Sequence, residues 1–201
     1  MLALVLVALA YPGQESVKTA NTTDRRIAQK LPARGIPNFG QVSPTLYRGA
    51  QPSPEGIEAL KKMGVEIVVD LRGSASTSER AAVTKLGMQY VSIPSHCPFP
   101  TDEPWAHFLA LVKENPAKKI FVHCRLGDDR TGIAVATYRM TFDGWNAKEA
   151  MNEMKAFGFS GVHHVICPGL EEYEKSFPKR LNHNGVFERV RPQPGPVGTS
   201  Q

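Results

Sequence analysis

The sequence is poor in cysteine: three in 201 residues, Cys97, Cys124 and Cys167. So small and odd a set cannot staple a fold together and leaves at least one thiol free. Neither of its two His-Cys pairs, His96-Cys97 and His123-Cys124, has the two-residue gap typical of a zinc knuckle, so no metal site is expected. No apolar run is long enough to span a bilayer. No basic run is long enough to form a dedicated nucleic-acid patch, and Arg25-Arg26 and Lys61-Lys62 read as solvated face. There is no internal repeat. What is present is ordinary globular composition, 41% hydrophobic and 21% charged, enough for one domain with a sizeable core. The net charge of +5 suits anionic substrates.

The N-terminus bears on the compartment. Leu2 to Ala10 is unbroken and apolar, ends in the small-x-small pattern Ala8-Leu9-Ala10 and is followed by Tyr11-Pro12-Gly13. No Lys or Arg precedes the run. It reads as a signal peptide over residues 1–10, giving export to a periplasm or the medium; the alternative is a buried or frayed cytoplasmic N-terminus. No cysteine follows that could carry a lipid, so stable membrane insertion after cleavage is not expected. Residues 11–37 read as a linker, 38–178 as the folded domain and 179–201 as a disordered tail rich in Pro, Gly and Asn.

Within the domain, strands alternate with helices. Strands are expected at 42–48, 65–71, 88–93 and 119–124, and helices at 54–63, 78–86, 103–114, 131–140, 147–157 and 168–177. Ser53 before Pro54, with Gly64 after the helix, supplies start and stop signals. Met151 and Met154 fall at helical spacing with Ala147, Ala150 and Phe157, and so belong to a core face. The pattern predicts an α/β fold with a central, mostly parallel sheet flanked by helices on both faces.

One stretch carries chemistry: His123-Cys124-Arg125-Leu126-Gly127-Asp128-Asp129-Arg130-Thr131-Gly132. It lies between the strand ending at 124 and the helix from 131. At such a turn, N–H groups without internal partners and the helix dipole favour an anion. Gly127 lets the loop curl so that its amides point inward, and Arg130 supplies a planar fork for two phosphate oxygens. A thiol beside a helix N-terminus and cations is stabilised as the thiolate nucleophile, and Thr131 is placed to donate its hydroxyl to that sulfur. His123 reads as a residue that orients the loop, not as a base.

Cys124, five intervening residues, Arg130 and Thr131, with His123 in front, resemble the signature loop of the cysteine-dependent protein tyrosine phosphatase superfamily. The short chain and the ending Asp129-Arg130-Thr131-Gly132 are similar to the bacterial dual-specificity-like tyrosine phosphatases. The resemblance extends to Asn38-Phe39-Gly40-Gln41-Val42, Leu46-Tyr47-Arg48 and Val69-Asp70-Leu71-Arg72, and covers roughly residues 36 to 178. It implies a dual-specificity phosphatase-like fold and a cofactor-free phosphomonoester hydrolase working through a phosphocysteine. Arg125, Leu126, Gly127, Asp128, Asp129 and Arg130 would surround the phosphate. It also implies an acid loop after the third strand, where Asp102 would protonate the leaving oxygen; the other reading of Asp102 is a helix N-cap, and Asp129 is then the acid. The substrate implied is a phosphorylated protein, cleaved by a monomer with no nucleic-acid partner. A phosphoinositide or inositol phosphate is the alternative, favoured by Arg125 and opposed by the two loop carboxylates. A phosphate-binding pseudophosphatase module is the non-enzymatic alternative, and the intact Cys124, Arg130 and Thr131 speak against it. Cys97 is a candidate for a reversible disulfide with Cys124 that guards the thiol.

Overall fold

A computed structural model of the chain describes residues 26–96, 98–160 and 167–191. The signal peptide expected over 1–10 and Cys97, with its expected pairing, lie outside the described residues. The elements in chain order are β1 (Gln29–Lys30), β2 (Gly40–Gln41), β3 (Leu46–Gly49), α1 (Pro54–Lys62), β4 (Val65–Asp70) and α2 (Thr77–Lys85). There follow β5 (Gln89–Ser92), α3 (Glu103–Glu114), β6 (Lys119–His123), α4 (Asp129–Phe142), α5 (Ala147–Ala156), α6 (Leu170–His183) and a 3-10 turn at Gly185–Phe187. The six strands form one sheet in the order β1-β2-β3-β6-β4-β5. β3, β6, β4 and β5 are parallel, and β1 and β2 extend the edge antiparallel.

Period-two alternation assigns the strand side chains to two layers. Tyr47, Val68, Tyr90 and Phe121 pack with Ile57, Leu60 and Val83 of α1 and α2. Leu46, Ile67, Val69, Ile120 and Val122 face the larger layer built by α3 to α6. The α/β fold with helices on both faces is therefore the one the alternation predicts. The helix starts follow local chemistry: the Ser53 hydroxyl accepts the Gly56 N–H with Pro54 in the first turn, and Asn146 and Glu149 form a capping box at α5.

Three expectations are corrected. Residues 42–48 are not one strand: the Ser43 hydroxyl accepts the Leu46 N–H and the Val42 N–H donates to the Leu46 carbonyl, so the chain turns there and β2 and β3 pair as a hairpin. Residues 26–37 are not merely a linker. They add β1, bury Ala28 and Ile36, and donate the Ala28 N–H to Glu153, a backbone anchor that polar composition does not reveal. The tail is ordered as far as 191. α6 passes through Pro178, forfeiting one backbone bond, because Phe177 and Leu181 on either side are buried; beyond it Phe187 and Val190 are buried too. The Phe177 and Phe187 rings meet edge-on at 5.3 Å. Tertiary burial here overrides the local helix-breaking signal.

Candidate active site

β6 delivers His123, and α4 begins at Asp129; the five residues between them form the loop. Cys124 is buried with a free thiol, and the Gly127 N–H donates to its Sγ at 3.2 Å. Gly127 is required twice. Its φ is +78°, and a Cβ there would stand 2.6 Å from the Ala50 nitrogen and the Gly49 carbonyl carbon. The loop is thus pressed against the end of β3. Asp128 accepts the Asp129 N–H at 2.8 Å. Arg130 is half-buried and has no hydrogen-bond or ion-pair partner among the described residues, which leaves its fork available to an anion. Arg125 and Leu126 project outward, Leu126 being 62% exposed, beside a shallow groove of about 440 Å³ that Gln51, Pro52 and Ser53 also line.

Thr131 does not meet the sulfur as expected. It is buried, and its hydroxyl faces the Gly49 carbonyl at 3.4 Å, tying α4 to β3. The donor to Sγ is the Gly127 amide instead, because the tight curl of the loop brings that N–H inward.

His123 lies buried under the loop. Its Nδ1 is 3.1 Å from the Cys124 carbonyl, its Nε2 is 2.7 Å from Glu79 Oε1, and its ring stacks on Phe121. Glu79 accepts from Arg72 at 2.6 Å, and Arg72 also forks onto both oxygens of Asp70 at 2.8 and 2.6 Å. Tyr90 donates its hydroxyl to Asp70 as well. Burial opposes the Asp70 charge, but the Arg72 and Tyr90 hydrogen bonds outweigh it and hold the carboxyl below its ordinary range. Burial and the Asp70 bond push Tyr90 up to about 12. Asp70, Glu79 and His123 are close enough together to suggest a metal, but Arg72 is the cation joining the two carboxylates. The whole assembly braces the start of the loop. Arg72 and Asp70 were legible as a motif; Glu79 was not, since it is brought to His123 from a helix 44 residues earlier in the chain.

The two candidate acids have different surroundings. Asp102 stands at the start of α3 in helical conformation with no side-chain cap bond. Its carboxylate accepts from Tyr173 Oη at 2.6 Å, Asn184 Nδ2 at 2.8 Å and Arg180 Nε at 3.0 Å, so it pins α3 to α6. Burial and the Asp102 bond raise Tyr173 above the ordinary phenol range. Asp129 is the first residue of α4, directly after the loop and next to Arg130, with Oδ2 3.2 Å from Cys167 Sγ. Cys167 is disulfide-bonded, and Cys124 is free.

Two further residues reach the loop from the β2–β3 side. Arg48 Nη2 donates to the Gly127 carbonyl at 2.9 Å, and Asn38 Nδ2 donates to the same carbonyl at 3.0 Å and to the Phe157 carbonyl at 2.8 Å. An arginine inside an apolar strand was the sequence signal for this contact. Asn38 holds a left-handed φ of +53°, which asparagine tolerates.

The family model described as DSP-PTPase phosphatase fused to NAD+ kinase matches residues 33–165. The chain belongs to this family of dual-specificity-type cysteine phosphatases. Dual specificity protein phosphatase TpbA of Pseudomonas aeruginosa is 30% identical over 164 residues, covering 79% of this chain and 72% of the relative. In a second strain TpbA is 31% identical over 126 residues, covering 61% and 55%. The latter match spans about half of that relative's length. Human dual specificity protein phosphatase 26 is 27% identical over 120 residues, 57% of each chain. In fold, the family member resembles the crystal structure of P. aeruginosa TpbA, with a TM-score of 0.65 at 24% identity over 78% of this chain and 96% of that one. A TpbA variant crystallised in complex with pTyr gives 0.64 at 23% identity, over 78% of this chain and 96% of that one.

Proposed function

We propose that this phosphatase hydrolyses phosphotyrosine in proteins, with dual specificity for phosphoserine and phosphothreonine, through a phosphocysteine. The observation that carries the reading is the free Cys124 at the floor of a loop whose Gly127 amide already points at its sulfur, with Arg130 unengaged beside it. The Cys124 sulfur attacks phosphorus and the bond to the leaving oxygen breaks. The loop amides and Arg130 hold the three non-bridging oxygens as charge redistributes. The leaving oxygen takes a proton from a carboxyl. Water then attacks the phosphocysteine, giving its proton to the same carboxylate, and inorganic phosphate and the thiolate are released.

In this reading Asp129 is the acid. It stands where the loop enters α4, next to Arg130, whereas the Asp102 carboxylate is committed to Tyr173, Asn184 and Arg180. Cys124→Ser abolishes turnover. Asp129→Asn slows hydrolysis of phenyl phosphate by roughly 10²–10⁴ and of activated aryl phosphates far less, because a good leaving group departs without a proton. If Asp102→Asn shows that leaving-group dependence and Asp129→Asn does not, the acid is Asp102.

Export and a monomeric state belong to the same reading. Export is motivated by the Leu2–Ala10 run and is tested by N-terminal sequencing of the protein recovered from cell fractions. An intact Met1 in the cytoplasmic fraction overturns it. Light scattering tests the monomer, and a stable dimer mass refutes it.

A further inference from the structure

Arg48 is fully buried at the end of β3, and it is unusual among the buried charges here. Only its Nη2 is bonded, to the Gly127 carbonyl; Nε and Nη1 have no hydrogen-bond partner among the described residues. No carboxylate among the described residues forms an ion pair with it. Its guanidinium carbon lies 3.9 Å from the centroid of the Phe157 ring, a contact that recovers part of the lost hydration. Burial pushes the group down to about 10, while Glu153 and the Cys124 sulfur act in the opposite direction. A buried charge without a counterion costs several kcal/mol. The hydrogen bond to the loop does not require that charge, because Asn38 already donates to the same Gly127 carbonyl.

We infer that Arg48 is a positioning residue and the second cation of the anion site, holding the Gly127 carbonyl away from the phosphate while its charge supports the Cys124 thiolate and the bound oxyanion from behind the loop. The inference rests on the phosphatase reading. Arg130 grips the phosphate from the open side; Arg48 never touches it. The two donors fix the direction of that carbonyl, and the N–H of the same residue points at the sulfur. Beyond the more distant Glu153 carboxylate, the anions that repay the burial of Arg48 are the thiolate and, in the complex, the phosphate.

The test compares Arg48→Met, which removes charge and donor while keeping apolar bulk, with Arg48→Lys and with Asn38→Gly, which removes the other donor and tolerates the positive φ. Three readouts are taken on the full chain: thermal stability, tungstate affinity, and the pH profile of Cys124 alkylation by iodoacetamide, followed on the Cys124 peptide by mass spectrometry. Arg48→Met is expected to fold with a melting temperature at or above the parent's, to bind tungstate about tenfold more weakly, and to shift the alkylation midpoint upward by about 1 pH unit. Arg48→Lys restores most of the alkylation profile, since it restores the charge. Asn38→Gly, which removes one of the two donors and no charge, moves the profile less than Arg48→Met does. A parental alkylation profile and tungstate affinity in Arg48→Met overturn the inference. If Arg48→Met does not fold, Arg48→Lys decides: a parental profile supports the charge role, and a profile shifted upward as far as in an Arg130→Met control refutes it. Failure of the parent protein to bind tungstate at all would instead count against the phosphatase reading.

Discussion

Two arginines are buried near the C-terminal end of α5, one beside Glu153 and one over the Phe157 ring, and their surroundings could hardly differ more. Arg139 of α4 meets Glu153 through Nε and Nη2 at 3.1 and 2.9 Å, and Asp143 through Nη1 at 2.7 Å, and it stacks on Trp145. Burial opposes its charge, but the two carboxylates prevail and hold it above the ordinary arginine value. Arg48 has one carbonyl and one ring, and there burial prevails. A buried ion that is fully paired organises the fold. A buried ion left unpaired needs a reason outside the resting fold, and the loop 124–130 beside Arg48 supplies one.

The sharpest way to break this contrast is Arg139→Met. It strands Glu153, which also accepts the Ala28 N–H, as a buried carboxylate without its cation. A loss of about 3–5 kcal/mol in urea unfolding is expected. Arg48→Met should lie within about 1 kcal/mol of the parent, and equal losses in the two variants would erase the distinction.

Asp102→Ala is the next largest effect. It releases Tyr173, Arg180 and Asn184 together and detaches α3 from α6, for a loss of about 2–3 kcal/mol. Its hydrolysis rates on good and poor leaving groups should fall by one common factor, as expected of a structural pin. A change of stability within error would mean that the three contacts do not hold the helices together.

Glu174 sharpens the comparison from the acidic side. It is buried in α6 with both oxygens unpartnered, and burial raises its pKa well above 4.5. The native state therefore keeps its proton where the unfolded chain loses it. The stability this contributes is complete below pH 4.5 and is lost as pH rises toward the folded-state value. Glu174→Gln should then unfold at a higher urea midpoint than the parent at neutral pH, by about 1 kcal/mol, with the gap closing below pH 4.5. A gap that widens in acid would show that Glu174 is ionised in the fold. Asp70 has the opposite sign: its depressed pKa contributes stability above pH 3.8 that disappears as pH falls through the folded value. Asp70→Asn should thus narrow the acid-induced loss of stability seen in the parent.

Local chemistry by itself picked out the candidate nucleophile and the loop around it. Cys124, Gly127 and Arg130 fall within seven consecutive residues, and the strand before them and the helix that Arg130 enters mark a strand-to-helix turn that favours an anion. It also determined the layering, since alternating apolar residues in β4 and β6 can only be satisfied by helices on both faces. The cap of α1 was legible for the same reason, as it is settled within four residues.

Only the tertiary structure decided which partners each polar side chain meets. Asp102 reads equally as a cap or an acid until Tyr173, Arg180 and Asn184, more than 70 positions away, close on its carboxylate. Thr131 looks aimed at the sulfur until β3 offers it the Gly49 carbonyl. Pro178 signals a helix stop until Phe177 and Leu181 are buried around it. Arg48 shows the limit best: its place at the end of an expected strand was legible, but its complete burial, with Nε and Nη1 unpartnered among the described residues, arises only when the chain packs around β3, and no local rule carries that distance.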